Sequence, residues 1–345
     1  MNLKEKSLYR SLRTLEGAQG PWVTLDGRQV LNLCSNNYLG LACHPRVMEA
    51  AAQATQQHGC GSGASRLICG NFSWHEILER RLATFKNQEA ALLYNTGYMA
   101  NLGVISALAG SEDFVFSDEL NHASIVDGCR LSRARVEVFP HNDLDVLEDR
   151  LRRACRANPA GRRLVVVDGV FSMDGDLAPL PELADLAERY ESLLMVDEAH
   201  ATGVFGPGGR GVVAHFGLER KILIATGTLS KALGSFGAFV AGSRELVEFL
   251  VNTSRSFIFT TGLPPSAIAA SLTALDVLDA DVSLLPKVQE NAAYLRQGLN
   301  RLGYDTLNSQ TQIIPVVVGE AGPALEMARL LLDEGVLATA IRPPT

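Results

Sequence analysis

Ala90-Ala91-Leu92-Leu93-Tyr94-Asn95-Thr96-Gly97-Tyr98-Met99-Ala100-Asn101 is the stretch on which the fold turns. An apolar run ends at Tyr94, a glycine turns the chain at Gly97, and a helical pattern follows. The same order of short apolar run, turn and helix recurs downstream. It predicts strands over 90–94, 114–116, 136–139, 164–167, 193–196, 222–225 and 238–241, with helices between most of them. Strands alternating with helices need crossover connections, so the fold class is α/β with a mostly parallel central sheet. Such a sheet carries its functional groups at the carboxyl ends of its strands.

Working outward, Pro45 opens a helical stretch and Gly59 follows its end. Ser73-Trp74-His75-Glu76 reads as a capping box that starts another helix. From about residue 245 the pattern changes. Helical stretches over 266–279 and 284–302 precede a strand-like 313–318 and a helix over 323–334. The expected organisation is an N-terminal segment (1–45), a large domain (46–245) and a smaller α+β domain (246–345). Residues 336–341 read as a strand with nothing after it to complete its layer, so the small domain is expected to be incomplete.

Hydrophobic residues make up 47% of the 345-residue chain and charged ones 20%, an ordinary globular balance. The net charge of -7 argues against a nucleic-acid footprint. The arginines of 150–156 follow Asp145, Glu148 and Asp149 on one helix and read as a solvated face. Six scattered cysteines form no C-x-x-C pair, which suggests free thiols in a reducing compartment. The N-terminus lacks the apolar core of a signal peptide, and no apolar run reaches membrane-spanning length. The expectation is a cytoplasmic protein with no membrane and no nucleic-acid partner.

Four sites carry chemistry. In Thr226-Gly227-Thr228-Leu229-Ser230-Lys231-Ala232-Leu233-Gly234, small residues surround Lys231 and would let a flat cofactor approach the backbone. A lysine is a nucleophile only where it sheds its proton, and alone it is ordinarily a solvated one. In Val196-Asp197-Glu198-Ala199-His200 an apolar strand ends in a carboxylate with a histidine three residues on. That carboxylate can keep a pyridine nitrogen protonated, and the histidine can reach a phenolic oxygen on the same ring. Asp and His are also metal ligands, but no ligand cluster accompanies them, so no metal is expected. The helix start at Gly97 and Tyr98 offers backbone N–H groups to a phosphate. In Asn121-His122-Ala123-Ser124, His122 can stack on an aromatic ring.

Their order along the chain resembles the fold-type I pyridoxal 5′-phosphate (PLP) transferases, and among them the α-oxoamine synthases. The matching segments are Cys34-Ser35-Asn36-Asn37-Tyr38-Leu39-Gly40-Leu41, Gly61-Ser62-Gly63-Ala64-Ser65-Arg66, Asn121-His122-Ala123-Ser124-Ile125, Asp168-Gly169-Val170-Phe171-Ser172-Met173-Asp174-Gly175, Val196 to His200 and Gly227 to Lys231. The resemblance implies a PLP-dependent acyltransferase that condenses an amino acid with an acyl thioester and releases CO2. Ala340-Ile341-Arg342-Pro343-Pro344-Thr345 and Arg255-Ser256-Phe257-Ile258-Phe259-Thr260-Thr261 are similar to the members that join L-alanine to a pimeloyl thioester in biotin synthesis. The thioester would sit on coenzyme A or on an acyl carrier protein. Arg66-Leu67-Ile68-Cys69-Gly70 is similar to glycine C-acetyltransferase, which keeps a sister synthase open. A PLP-binding regulatory module is the more distant alternative.

Residue by residue, the resemblance makes Lys231 the Schiff-base lysine, Asp197 the pyridinium partner and His200 the partner of the phenolic oxygen. His122 would stack on the ring. Gly97, Tyr98 and Thr228 would hold the phosphate, and Ser172 would touch the cofactor. Thr260 and Thr261 would reach the phosphate of a second copy, implying a homodimer. Arg10, Asn36 and Thr345 would contact substrate. The resemblance also implies that family members continue past Thr345 to an arginine that grips the amino acid's carboxylate.

Overall fold

The structure is a computed structural model and describes residues 3–343. Three strands lie in the N-terminal segment, where the alternation rule gave none: β1 (Leu15–Glu16), β2 (Trp22–Leu25) and β3 (Arg28–Asn32). β2 and β3 form a hairpin around Asp26-Gly27, both at positive φ (51° and 75°), as a two-residue turn of the I′ kind requires. Helix α1 (Pro45–His58) has proline in its first turn and ends at Gly59 with φ 85°. Helix α2 (Ser73–Lys86) corrects the expected capping box: the cap is Phe72, whose N–H donates to His75 Nδ1 at 3.0 Å. Glu76, given the return bond by the sequence, accepts instead from Asn71 Nδ2.

The alternation then holds through β4 (Ala90–Tyr94), α3 (Gly97–Leu108), β5 (Phe114–Asp118), α4 (Ala123–Ser132), β6 (Arg135–Phe139), α5 (Leu144–Ala157), β7 (Arg163–Asp168), α6 (Leu180–Arg189), β8 (Leu193–Asp197), a short α7 (Val212–His215), β9 (Ile224–Thr228) and β10 (Ala238–Gly242). Among the described residues these strands form one seven-stranded sheet in the order β4-β10-β9-β8-β7-β5-β6. Only β10 runs against its neighbours, pairing antiparallel with both β4 and β9. The expected strand over 222–225 lies two residues further on, because its pairing continues through Thr226-Gly227-Thr228. Glycine is required there: a Cβ on Gly227 would come within 2.5 Å of Phe239 Cζ.

Side chains alternate across the sheet as strand geometry dictates. Phe116, Val165, Val167, Leu194 and Val196 pack on one face with residues of α5 and α6. Val115, Val166 and Met195 pack on the other with residues of α3 and α4. A third apolar cluster joins β4 and β10 to α1, α2 and the later helix α10.

The remaining elements are α8 (Arg244–Thr253), α9 (Arg255–Ile258), α10 (Pro265–Ala280), α11 (Leu284–Arg301), α12 (Ala321–Asp333) and β11 (Val336–Leu337). The strand expected over 313–318 is not formed. Those residues carry no regular secondary structure and pair with no strand of either sheet, and β-branched residues make a strand only with a partner. The strand expected over 336–341 shrinks to β11. It pairs in parallel with β3, so the N-terminal hairpin supplies its neighbour. No helix among the described residues is long and apolar enough to cross a membrane.

Candidate active site

β10 is antiparallel to both β4 and β9, so β4 runs the same way as β5, β7, β8 and β9. The carboxyl ends of these five strands therefore share one edge of the sheet. That edge receives Gly97 after β4, His122 after β5, Asp168 at the end of β7, Asp197 at the end of β8 and Lys231 after β9. Asp168 and Asp197 stand opposite each other in register, which puts two buried carboxylates on adjacent strands.

Lys231 Nζ lies 2.8 Å from His200 Nε2, and His200 Nδ1 lies 2.7 Å from the Tyr38 hydroxyl. Desolvation holds the Lys231 ammonium below its ordinary value, against the pull of Asp197 and Asp168. Burial, then Lys231 and His122, hold His200 well below the usual histidine range, so its ring is neutral. Asp197 Oδ2 accepts from Asn101 Nδ2 at 2.6 Å, and Oδ1 accepts from the Ala199 N–H at 2.9 Å. Asn101 is in turn fixed by Ser124 Oγ and Thr226 Oγ1. Burial and the neighbouring Asp197 push the Asp168 carboxyl well above its ordinary value. Its Oδ2 accepts from the His122 N–H at 2.8 Å, which anchors the loop carrying that histidine. The His122 ring caps α4 by accepting from the Ser124 N–H. Desolvation lowers its proton affinity, Asp197 raises it, and Lys231 lowers it again.

The other residues singled out by sequence fall around this centre. Gly97 and Tyr98 open α3, where the first N–H groups have no acceptor within the helix, and a Cβ on Gly97 would meet nothing within 4 Å. The buried Thr228 hydroxyl donates to Gly237 O at 3.0 Å and accepts from the Ser230 N–H. To serve a phosphate its proton must swing away from Gly237. Asn36 is exposed and accepts from the Tyr38 hydroxyl at 3.1 Å. Thr260 and Thr261 line a separate shallow pocket with Arg66, Tyr94 and Asn95, and Asn95 Nδ2 donates to Thr261 O. Arg10 donates to the carbonyls of Arg342 and Pro343, while Arg342 reaches back to Ser7 O. Ser172 is half-buried in the turn after β7, and Thr345 lies outside the described residues.

Four residues in contact with this centre were not singled out from sequence. Asp168 and Tyr38 stood inside motifs already quoted. Asn101 had a signal of its own, as a lone amide within the apolar helix Gly97-Tyr98-Met99-Ala100-Asn101-Leu102-Gly103-Val104-Ile105. Gln312, which donates to His200 O at 2.8 Å, had none, since it precedes a stretch that read as a strand.

Residues 28–345 match the family described as aminotransferase class I and II. The 8-amino-7-oxononanoate synthase of Geobacter sulfurreducens is 55% identical, over 99% of this chain and 88% of that one. The synthase of the same name from Geotalea daltonii is 51% identical, over 100% of this chain and 88% of its own. Among solved structures, a serine palmitoyltransferase from S. paucimobilis with a bound PLP–myriocin adduct superposes with a TM-score of 0.92. It is 36% identical and aligns over 96% of this chain and 84% of its own. The chain belongs to the class I and II aminotransferase family and, within it, to the 8-amino-7-oxononanoate synthases.

PLP is the cofactor of this family and of this chain. The residues at the sheet edge fit it. Asp197 is buried and satisfied only by neutral N–H donors, with no cation in ion-pair contact among the described residues. Lys231 is bonded to a neutral imidazole rather than to a carboxylate. A site holding an unpaired buried carboxylate and an unpaired amine suits a ligand that brings both a ring cation and a carbonyl.

Proposed function

We propose that this chain condenses L-alanine with a pimeloyl thioester, giving 8-amino-7-oxononanoate, CO2 and the free thiol. The observation that carries the reading is the meeting of Lys231, His200, Asp197 and His122 at one sheet edge, in a chain 55% identical to a synthase of that name. Lys231 would hold the cofactor as a Schiff base, Asp197 would face its ring nitrogen, and His200 would donate to its phenolic oxygen. His122 would cover the ring. Gly97, Tyr98 and Thr228 would hold the phosphate, with Thr260 and Thr261 of a second copy. Ser172 would touch the cofactor, and Asn36, Arg10 and Thr345 would line the substrate side.

When bound, the cofactor accepts the electron pair left at Cα as a bond to it breaks. The chain does the rest. Lys231, whose proton affinity burial lowers, takes the Cα proton at Nζ and later returns one. Asp197 keeps the ring nitrogen protonated, and Asn101 keeps Asp197 aimed. Asp168, by holding the His122 N–H, fixes the wall over the ring.

Exposed Ile68 and Phe259, 79% and 69% accessible, flank the Ser65–Thr261 bridge. Large apolar side chains exposed close in sequence to the bridge and to Thr260 and Thr261 support the homodimer that the resemblance implies. A cytoplasmic location follows from a biosynthetic role of this kind. Borohydride reduction and peptide mapping test the centre: the pyridoxyl group is expected on Lys231, and its appearance on any other lysine overturns the assignment. Product masses from amino acids crossed with acyl thioesters test the reaction. Alanine with pimeloyl thioester is expected to lead, and a lead for glycine with acetyl thioester overturns the substrate pair.

A further inference from the structure

Between Lys231 and the solvent the structure strings four groups in hydrogen-bond contact. Lys231 Nζ is 2.8 Å from His200 Nε2, His200 Nδ1 is 2.7 Å from Tyr38 Oη, and Tyr38 Oη is 3.1 Å from Asn36 Oδ1. Lys231 sits half-buried at the inner end, and Asn36 is exposed at the outer end. We propose that Tyr38 is a positioning residue whose hydroxyl sets which ring nitrogen of His200 bears the proton, so that the His200 tautomer follows the charge on Lys231. The inference rests on the reading of Lys231 and His200 given above and deepens it.

The donor and acceptor inventory fixes the directions. An ammonium only donates, a neutral imidazole has one donor and one acceptor, a phenol has one proton, and an amide oxygen only accepts. With Lys231 charged, Nζ donates to Nε2, Nδ1–H donates to Tyr38 Oη, and the Tyr38 proton goes to Asn36 Oδ1. Every bond then points outward. When Lys231 becomes neutral, the row reverses: Tyr38 O–H donates to Nδ1, and Nε2–H donates to Nζ. The balance is one proton from Nζ to Nε2, one from Nδ1 to Oη, and one from Oη to solvent beside Asn36. The chain of groups loses one proton and one positive charge.

The consequence concerns the cofactor-facing nitrogen. A phenolic oxygen that accepts a proton from His200 needs the Nε2–H form. Tyr38, donating to Nδ1, holds the ring in that form. Burial, the largest cause, keeps His200 neutral whether or not Lys231 is charged, so its tautomer rather than its charge is what changes. Burial also pushes the Tyr38 phenol upward, so it stays a donor. The titratable groups facing the row are His122 toward His200, and Asp197 and Asp168 toward Lys231. Gln312 donates to the His200 carbonyl at 2.8 Å, which fixes the backbone that carries the ring.

The test reads nitrogen shifts as well as rate. In full-length protein labelled with 15N-histidine and free of cofactor, His200 is expected to pass from Nδ1–H to Nε2–H as Lys231 titrates. In Tyr38→Phe the ring should be a mixture of tautomers above that titration. In the loaded protein the absorbance titration midpoint should move by about one pH unit. The kcat should fall about tenfold, with KM for the amino acid nearly unchanged, the size of one hydrogen bond. Asn36→Ala, at an exposed position, serves as the second variant. It removes the outer acceptor and should move the tautomer change to lower pH by a smaller amount. An unchanged tautomer change and midpoint in both variants overturns the proposal. Borohydride labelling of the unaltered protein separates the two readings: label on another lysine sinks the function, whereas label on Lys231 with wild-type behaviour in both variants sinks only the role of Tyr38.

Discussion

His200 and His141 are two histidines in desolvated surroundings that reach opposite proton states. Burial lowers the proton affinity of both. At the sheet edge His200 faces Lys231 and His122, which push it further down. About the loop after β6, His141 Nδ1 lies 3.1 Å from Asp118 Oδ1 and its Nε2 lies 2.8 Å from Asp176 Oδ2. Those two carboxylates outweigh burial and carry His141 up to about 10. Its ring also meets Phe171 edge-on at 4.4 Å. The sign of the neighbours decides the proton, and the proton decides the use. A neutral ring can reverse its hydrogen bonds, which suits a reaction centre. A charged ring between two carboxylates ties the end of β5, the loop before α5 and the turn at Asp176 into one clamp. The loop held at Asp118 is the one that runs on to His122.

The comparison breaks most visibly if Lys231 is removed. On the proposed reading, Lys231→Ala abolishes turnover, by at least about 10³-fold, because it removes both the cofactor's anchor and the base. The same variant deletes the cation beside His200, so an NMR titration should find that ring easier to protonate than in the parent. An unmoved His200 titration shows that burial alone sets its state. Asp197→Asn comes next. An amide cannot hold a ring nitrogen protonated, and its NH2, a donor only, would face either Asn101 Nδ2 or the Ala199 N–H with no acceptor to offer. Turnover should fall by about 10²- to 10³-fold while cofactor retention, read from absorbance after gel filtration, falls far less. Near-normal turnover would remove Asp197 from the role of ring partner.

The sequence made the residues that meet at the candidate site's sheet edge legible and left the clamp obscure, for a physical reason. Strand ends followed by glycine or Asp-x-x-His are local patterns, so Gly97, Asp197, His200 and Lys231 could each be read from a dozen residues. Their meeting depends only on the strands being parallel, which the alternation with helices already implied. Asp118 ends a strand while His141 and Asp176 lie on two separate loops, and nothing local tells a clamp histidine from a solvated one. The N-terminal hairpin was legible in principle, because Asp26-Gly27 divides two short runs of β-prone residues. It went unread because β11, which completes its sheet, lies some three hundred residues away. The β-branched run 313–318 misled in the opposite way, since propensity was present and a partner strand was not.

A third prediction sharpens the clamp side. Asp118 is buried, and its two oxygens accept from the N–H groups of Leu120 and Asn142 and from His141. Asp118→Ala strands those donors, so urea unfolding should show a loss of about 1–3 kcal/mol. The His141 titration should fall toward ordinary values because one of its two carboxylates is gone. Turnover should drop less than in Asp197→Asn, through a looser His122. Unchanged stability with an unmoved His141 would mean that Asp176 alone holds the ring.

The smallest effect is the one that depends most directly on the comparison. His141 titrates near 6.5 in an unfolded chain and at about 10 here, so its folded value is raised. A group of that kind gives its full stabilisation below the unfolded value and loses it as pH rises through the folded one. The clamp should therefore hold at pH 6 and slacken between about pH 6.5 and pH 10. His141→Gln keeps a donor toward one aspartate but carries no charge at any pH. Subtracting its unfolding free energy from the parent's cancels the lysines and tyrosines that also titrate at the alkaline end. The ring is partly open to solvent, which screens the pair, so the difference should be about 1 kcal/mol at pH 6. It should shrink steadily above neutrality and vanish near pH 11. His200 makes the opposite forecast, because its lowered value leaves it uncharged across that whole window. A difference that stays level with pH would show that His141 acts by shape and hydrogen bonding, as His200 does, and that its two carboxylates do not hold a proton on it.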